Sequence, residues 1–161
     1  MSLLVAYFSW GGTTRIIAEQ IQKTVGGDLF EIKTLDPYPK EYNPTTAVAK
    51  REQRSNARPA LTAQVNGMDS YKTIFLGYPN WWGTIPMAIV TFLESYNFSG
   101  KLIIPFCTHG GSALGRSIAD IKKLCPQSTI GEGLAIRNGT IDHAGNAITV
   151  WLRQPCLDQP K

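Results

Sequence analysis

The segment Leu3–Thr14 reads LLVAYFSWGGTT and decides how the rest of the chain is interpreted. Its first half, Leu3–Phe8, is a short apolar run typical of a buried strand. Its second half places Gly11 and Gly12 among hydroxyl side chains, and a helix is predicted to follow. That helix has an apolar residue at every fourth position, namely Ile17, Ile21 and Val25, and Gly26-Gly27 ends it. A strand, a glycine-rich turn and a helix in this order indicate a unit of a parallel sheet.

The same alternation continues along the chain. Further strands are predicted at about Leu29–Leu35, Thr73–Tyr78, Lys101–Cys107 and Gly133–Arg137, with helices between most of them. The second and third of these runs are almost wholly apolar, as expected for central strands that are covered on both faces. We therefore predict a three-layer α/β/α fold with a five-stranded parallel sheet. It forms one domain over residues 1–153, followed by a tail at 154–161.

One connection, residues 37–72, is much longer than is usual in such folds. It is rich in proline, and a short helix is predicted near Thr46–Asn56. An excursion of this kind serves as a lid, as a binding element or as an oligomer contact, for example in a homodimer. A decorated crossover with none of these roles is the alternative, and the sequence leaves the choice open.

Composition excludes several classes of function. The 161 residues include 43% hydrophobic and 17% charged residues, as in a folded globular protein. No apolar run is long enough to span a bilayer and no basic leader precedes the first strand, so we expect a cytoplasmic protein without a membrane partner. The net charge is +4, and the basic residues occur in short groups rather than in one continuous patch. We therefore predict no nucleic-acid partner.

The cysteines and histidines are too scattered for a disulfide framework or a metal site. The cysteines are Cys107, Cys125 and Cys156, and the histidines are His109 and His143. Cys107 lies in an apolar run and is expected to be a small buried side chain. We predict no metal cofactor.

The segment after the first strand is a candidate site, because ligands of open parallel sheets bind beyond the carboxyl ends of the strands. It contains Ser9, Trp10, Gly11, Gly12, Thr13 and Thr14. Glycines let backbone N–H groups converge, hydroxyls donate hydrogen bonds, and the following helix N-terminus favours an anion. We interpret the segment as a phosphate-binding loop. The alternative is an ordinary glycine-rich turn in which Thr13 or Thr14 caps the helix.

The segment after the third strand contains two adjacent tryptophans. Its residues are Pro79, Asn80, Trp81, Trp82, Gly83 and Thr84. Successive side chains point in different directions, so at least one ring should be partly exposed and able to stack on a planar ligand. The alternative is one core tryptophan and one that covers the sheet edge. Thr84 is also a candidate cap for the next helix.

The segment after the fourth strand contains a glycine pair. Its residues are Thr108, His109, Gly110, Gly111 and Ser112. The glycines allow a close approach of the backbone to a ligand, and Ser112 is placed at a helix start. His109 is the candidate catalytic residue, because a histidine can donate a hydrogen bond, stack on a ring or shuttle a proton. A simple polar contact is the alternative.

These three loops resemble those of the flavodoxins, in particular a bacterial flavodoxin-like branch with a tryptophan-rich second loop. The resemblance covers nearly the whole chain and implies the sheet order 2-1-3-4-5, with FMN at the point where the order reverses. It implies that Ser9 and residues 11–14 hold the FMN phosphate, while the second and third loops flank the isoalloxazine ring. It also implies a peptide that flips to stabilise the one-electron-reduced flavin, and Gly83 is the position flexible enough for that.

Two features depart from the usual flavodoxin pattern. Gly11 stands where a hydroxyl is usual and Thr13 replaces an asparagine, which removes one side-chain donor. None of the three loops contains Asp or Glu, whereas Arg15, His109 and Arg116 lie within or beside them. Because nearby positive charge stabilises an anionic reduced flavin, we expect a less negative reduction potential than in acidic flavodoxins.

The sequence favours an FMN-dependent redox protein and leaves two mechanisms open. An electron carrier would exchange electrons with a redox partner protein. An enzyme would take hydride from NAD(P)H and reduce a quinone or a similar small molecule, with His109 assisting proton transfer. A non-redox module that binds another phosphorylated ligand is a third alternative, because a fold does not determine function.

Overall fold

The computed structural model describes residues 3–153; the predicted tail, which includes Cys156, lies outside the described residues. The strands of this part of the chain are β1 (Leu3–Tyr7), β2 (Asp28–Glu31), β3 (Thr73–Pro79), β4 (Leu102–His109), β5 (Thr129–Ile130) and β6 (Leu134–Arg137). They form one parallel sheet in the order β2-β1-β3-β4-β5, and β6 also pairs with β4. The expected fold class and strand order are confirmed.

Helices cover both faces of the sheet. They are α1 (Thr13–Val25), α2 (Tyr42–Ser55), α3 (Met87–Glu94), α4 (Ser117–Leu124) and α5 (Gly145–Leu152), with short 3-10 helices at Met68–Ser70 and Asn138–His143. The apolar sides of α1 and α5 share one core with the sheet, and those of α3 and α4 share the other. Among residues 3–153, no helix has the length and apolar character that crossing a membrane requires.

Two predicted strands differ from those observed. The second strand, predicted to reach Leu35, ends at Glu31 because its neighbour β1 ends at Tyr7. The backbone N–H of Ile32 still donates to Tyr7 O at 2.7 Å, and the chain then leaves the sheet. The predicted fifth strand is preceded by the short segment β5, so that β5 and β6 pair with successive parts of β4.

The long connection folds against the rest of the domain. Its helix α2 begins at Tyr42 rather than near Thr46, because Pro44 is accommodated in the first helical turn. Further along, Leu61 forms an antiparallel bridge with Thr34. This bridge places the part of the connection around Leu61 beside the segment that follows β2.

The middle of the sheet requires a glycine just below the edge at which the loops leave. Gly77 of β3 lies opposite Phe106 of β4. A Cβ at Gly77 would be 2.2 Å from the Phe106 ring, which is fully buried. The ring thus occupies the space that any other residue at this position would need.

Candidate functional site

The carboxyl ends of β1, β3 and β4 lie side by side, and the three predicted loops leave the sheet together at that edge. In the parallel register Tyr7 lies opposite Gly77, and Pro79 lies opposite Thr108. The strand order reverses between β1 and β3, which is where ligands of such sheets bind. A cleft of about 590 Å³ lies there, a volume typical of small-molecule sites.

Residues of all three loops line the cleft. They are Trp10, Gly11, Thr13, Pro79, Asn80, Trp81, Trp82, Thr108, His109 and Gly110. The other predicted site residues lie beside or beneath this lining, and they are Ser9, Gly12, Thr14, Gly83, Thr84, Gly111 and Ser112. The three predicted segments thus meet at one cleft, but only some of their residues line it.

The first loop presents backbone to the cleft. Gly11 and Gly12 have φ angles of 79° and 94°, and a Cβ at either position would meet no atom within 4 Å. Gly12 is the N-cap of α1, so the alternative interpretation, in which Thr13 or Thr14 caps the helix, does not hold. The N–H groups at the helix start, the open space in front of them and the Thr13 hydroxyl together suit an anion. The Ser9 Oγ accepts a hydrogen bond from the Arg15 N–H at 3.2 Å.

Thr14 lies beneath the loop and does not reach the cleft. Its hydroxyl is hydrogen-bonded to that of Thr108 at 2.8 Å, and both side chains are buried. Thr14 belongs to the buried side of α1 together with Ile17, Ala18 and Ile21. The expected phosphate contact of Thr14 is therefore replaced by a link between the first and third loops.

The second loop is a tight turn that separates the two tryptophans. Trp81 and Thr84 exchange backbone hydrogen bonds of 2.9 and 3.3 Å. The φ angles of 53° at Trp82 and 87° at Gly83 are those of a type I′ turn. Trp81 packs edge-on against Phe8 and Tyr38, with ring centroids 5.4 and 5.0 Å apart. One tryptophan thus joins the edge of the core, while Trp82 is 49% exposed.

Trp82 is held against α2. Its indole Nε1–H donates to Thr46 O at 2.9 Å, and the Lys50 ammonium lies 4.7 Å from the centroid of the ring. The Gln53 side chain donates to Trp82 O at 3.4 Å. Because a cation lies over one face of Trp82 and the Nε1–H is bonded to Thr46, stacking of a ligand would use the opposite face of the ring.

Gly83 and Thr84 face α4. Gly83 O accepts a hydrogen bond from the Arg116 N–H at 2.8 Å, and the Thr84 hydroxyl donates to the Asp120 carboxylate. A flip of the Gly83 peptide would break its bond to Arg116, so the expectation of a freely flipping Gly83 does not fit this packing. Thr84, a candidate cap for the next helix, is not its N-cap, because Pro86 occupies the N-cap of α3.

Asn80 joins the second loop to the third and holds an unpaired acceptor. Its Nδ2 donates to Ala113 O at 2.7 Å, which fixes the orientation of the amide. Its Oδ1 is buried and has no hydrogen-bond donor among the described residues. Because a buried acceptor without a donor is costly, a ligand donor close to Asn80 would be stabilising.

The third loop does not start a helix at Ser112. Helix α4 begins only at Ser117. Before it, the chain passes close to the second loop at Gly115, where a Cβ would lie 2.3 Å from Gly83 O. His109 ends β4 and lines the cleft. Its Nδ1 accepts the N–H groups of Gly111 and Ala113 at 3.0 and 3.1 Å.

Helix α2 adds lining residues that were not predicted from the sequence. They are Tyr42, Thr45, Thr46 and Ala49, together with Asn138 beyond β6. The start of this segment is anchored by Trp10, whose Nε1–H donates to Pro39 O at 2.9 Å and whose ring meets that of Tyr42 edge-on. In the sequence, only the unusual length of this connection indicated a role at the site, and a binding element was one of several alternatives that it left open.

The charges around the cleft differ from those inferred from the sequence. Arg15 pairs with Glu31 at 2.7 Å, and Arg116 lies 3.5 Å from Asp120. Arg137, by contrast, reaches the third loop, with a guanidinium nitrogen 3.5 Å from the position of a Cβ at Gly111. Arg137 and Lys50, which lies over the Trp82 ring, add positive charge near the cleft that the sequence did not indicate.

Cys107 is buried as predicted. Burial raises the pKa of its thiol to about 12, so the thiol stays protonated at neutral pH, and its Sγ contacts Ala113 O at 3.4 Å. Over residues 3–153, no group of three His, Cys, Asp or Glu side chains is placed to hold a metal ion.

The fold and the cleft define a class of protein, the doubly wound α/β domains with a ligand site at the topological switch point. Within that class the chain belongs to the flavodoxin family, because its residues 2–154 match the family described as Flavodoxin. No curated protein matches the chain significantly in sequence.

Solved structures agree with this assignment. A provisionally assigned flavoprotein from Bacteroides eggerthii is 34% identical, with a TM-score of 0.79 and coverage of 94% of this chain and 95% of that chain. Another from Bacteroides uniformis is 30% identical, with a TM-score of 0.82 and coverage of 95% and 98%. A flavoprotein from Lactobacillus acidophilus, solved in complex with FMN, is 22% identical with a TM-score of 0.74 and coverage of 88% and 96%, which supports the fold alone.

Proposed function

We propose that this member of the flavodoxin family binds FMN in the cleft and transfers electrons through it. The observation that carries the proposal is the meeting of an anion-binding loop at Gly11–Thr13 with an aromatic and polar wall at Trp82 and His109–Gly110. A phosphate and a flat ring system at the two ends of one ligand match these two parts.

The residues of the cleft fit FMN in three respects. The N–H groups at the start of α1 and the Thr13 hydroxyl suit the phosphate, and the open space at Gly11 and Gly12 leaves room for it. The second and third loops suit the ring. The unpaired Oδ1 of Asn80 needs a donor, and FMN offers its ring N–H and its ribityl hydroxyls. The binding of FMN by the Lactobacillus acidophilus flavoprotein of similar fold lends further support.

Bound FMN would supply the redox chemistry by accepting and releasing electrons. The protein would contribute binding and electrostatics. Arg137 beside the third loop and Lys50 above Trp82 place positive charge near the cleft, whereas the nearby Arg15 is paired with Glu31. Since an anionic reduced flavin is stabilised by positive charge, this arrangement favours a less negative potential than an acidic site would.

Helix α2 favours an enzyme as the second candidate function. A carrier needs an accessible flavin edge. Here α2 residues line the cleft, and the 37–72 connection is bonded to the first loop through Trp10 and to the second loop through Trp82. In this function NAD(P)H, a proton from water and a quinone would be converted to NAD(P)⁺ and the hydroquinone. Bound FMN would supply the redox chemistry, and the α2 residues that line the cleft would form part of the substrate site.

Anaerobic reduction followed by turnover distinguishes the two functions. Steady oxidation of NAD(P)H that depends on added quinone supports the enzyme, while reduction by a redox protein without NAD(P)H turnover supports the carrier. A49F narrows the cleft at α2, because Ala49 lines it and is buried. If the protein is the proposed enzyme, the variant should slow the reduction of the quinone more than the reduction of ferricyanide, which is a smaller acceptor. Bound flavin that neither reductant reduces would contradict both.

A further inference from the structure

We propose that His109 is a fixed hydrogen-bond donor, held as the neutral Nε2–H tautomer by its own loop and directed by that loop at the flavin. The inference rests on the proposed FMN site for its last step and on the geometry of the loop for the rest. It replaces the expectation that His109 carries a proton during the reaction.

The backbone of the third loop determines the tautomer. Two N–H groups, those of Gly111 and Ala113, point at Nδ1 from 3.0 and 3.1 Å. An imidazole nitrogen that accepts hydrogen bonds has its lone pair free, so the ring proton belongs on Nε2. Protonation of Nδ1 would break both bonds and set three N–H groups against one another.

The loop is in turn held in place by its neighbours. Ala113 has a φ of 55°, a left-handed conformation that is uncommon for alanine. Its carbonyl accepts hydrogen bonds from Asn80 Nδ2 and from the Cys107 thiol, at 2.7 and 3.4 Å. The Ala113 carbonyl is thereby held from the second loop and from β4, which helps to fix the backbone that orients the His109 ring.

The charged group that faces His109 is Arg137, which lies opposite it in the register of β4 and β6. Burial lowers the pKa of His109, and the positive charge of Arg137 lowers it further. Both effects favour the neutral ring, in agreement with the two hydrogen bonds to Nδ1. A neutral N–H donor can stabilise negative charge on a reduced flavin without giving up a proton.

The tautomer can be tested without any flavin. Long-range ¹H–¹⁵N spectra of the ¹⁵N-labelled apoprotein show which ring nitrogen carries the proton, and H143N assigns the signals of the two histidines. We expect the neutral Nε2–H form at pH 7. A proton on Nδ1, or a charged imidazolium at this pH, would overturn the proposal even if FMN binds.

The role toward the flavin is tested by the reduction potential of the FMN-loaded protein. H109L should lower the affinity for reduced FMN relative to oxidised FMN about tenfold, which corresponds to about 30 mV toward negative potentials for two electrons. H109Q retains an amide donor and should remain closer to the wild type. The pH dependence of the potential between pH 6 and pH 8 should have the same slope in H109L as in the wild type. A break in slope present in the wild type and absent from H109L would contradict a fixed donor.

These two tests separate the inference from the proposed function. An apoprotein with the Nε2–H tautomer that binds no FMN would refute the FMN site and, with it, the role of His109 toward flavin. An FMN-loaded protein with the Nδ1–H tautomer would refute the inference alone.

Discussion

The hydroxyl groups of Thr14 and Thr108 are hydrogen-bonded to each other at 2.8 Å beneath the cleft. Thr14 is the second residue of α1, and Thr108 is the next-to-last residue of β4. The two side chains are 0% and 1% exposed. The bond therefore fixes the start of α1, and the anion-binding loop before it, relative to the third loop.

Removal of both hydroxyls should destabilise the fold by less than the sum of the two single removals. T14V or T108V leaves a buried hydroxyl without its partner, which costs about 1–3 kcal/mol. The double variant removes both polar groups, so its loss should be smaller than the sum of the single losses. Urea unfolding of the three variants measures the coupling. Strictly additive losses would show that the pair makes no net interaction.

The phosphate contact is expected at Thr13, which lines the cleft. T13V removes a hydroxyl and keeps the shape of the side chain. A hydrogen bond to a charged group is worth about 1.5–3 kcal/mol, so T13V should weaken FMN binding roughly tenfold or more. Riboflavin has no phosphate, and its affinity should not change. T24V is the matched control, because Thr24 is exposed at the other end of α1. Equal losses for FMN and riboflavin would place the phosphate elsewhere.

Helix α2 should become more mobile when its bond to the second loop is removed. W82F keeps an aromatic ring but lacks the Nε1–H that donates to Thr46 O. The loss of about 1 kcal/mol corresponds to roughly fivefold faster amide exchange in α2, if local opening limits the exchange. Hydrogen-exchange mass spectrometry measures this. W10F, which removes the bond to Pro39, should instead affect the start of the segment. Unchanged α2 exchange in W82F would contradict the anchoring role.

Glu52 should reduce stability at neutral pH. The Tyr38 hydroxyl donates to its carboxylate at 2.7 Å, yet burial raises the pKa of Glu52 above its usual value. The folded state therefore binds more protons than the unfolded state, and stability falls as pH rises from below 4.5 through the folded pKa. E52Q keeps an acceptor for Tyr38 without the charge. Its stability advantage over the wild type should grow from pH 4 to pH 7 in urea unfolding.

The exposed variant E19Q on α1 is the control for Glu52. It should show no comparable change in its difference from the wild type over the same pH range. If E52Q instead loses stability relative to the wild type as pH rises, the carboxylate is favourably paired in the folded state, and burial does not dominate its pKa.

The sheet was predictable because its central strands are continuous apolar runs with clear stops. The burial of Thr14 was also within reach, since residues 14, 17, 18 and 21 share one face of a helix that starts at residue 13. The phase of that helix would have assigned Thr14 to the core and Thr13 to the cleft. By loop composition alone the two threonines are equivalent, and both were therefore predicted to contact the phosphate.

The remaining site features depend on contacts between distant parts of the chain. The indole donors of Trp10 and Trp82 reach partners 29 and 36 residues away, and no local pattern predicts such pairs. The tautomer of His109 depends on how the backbone at Gly111 and Ala113 turns. The sequence shows that the loop contains a histidine, but it does not predict which of the ring nitrogens carries the proton.

The most direct test of the FMN site is the binding of flavin to the purified protein. The visible spectrum of the protein as isolated is recorded, bound flavin is removed, and the apoprotein is titrated with FMN and with riboflavin. We predict one FMN per chain, with an affinity at least about tenfold higher than that of riboflavin. A colourless protein that binds no added FMN, or one that binds both flavins equally, would contradict the proposed site.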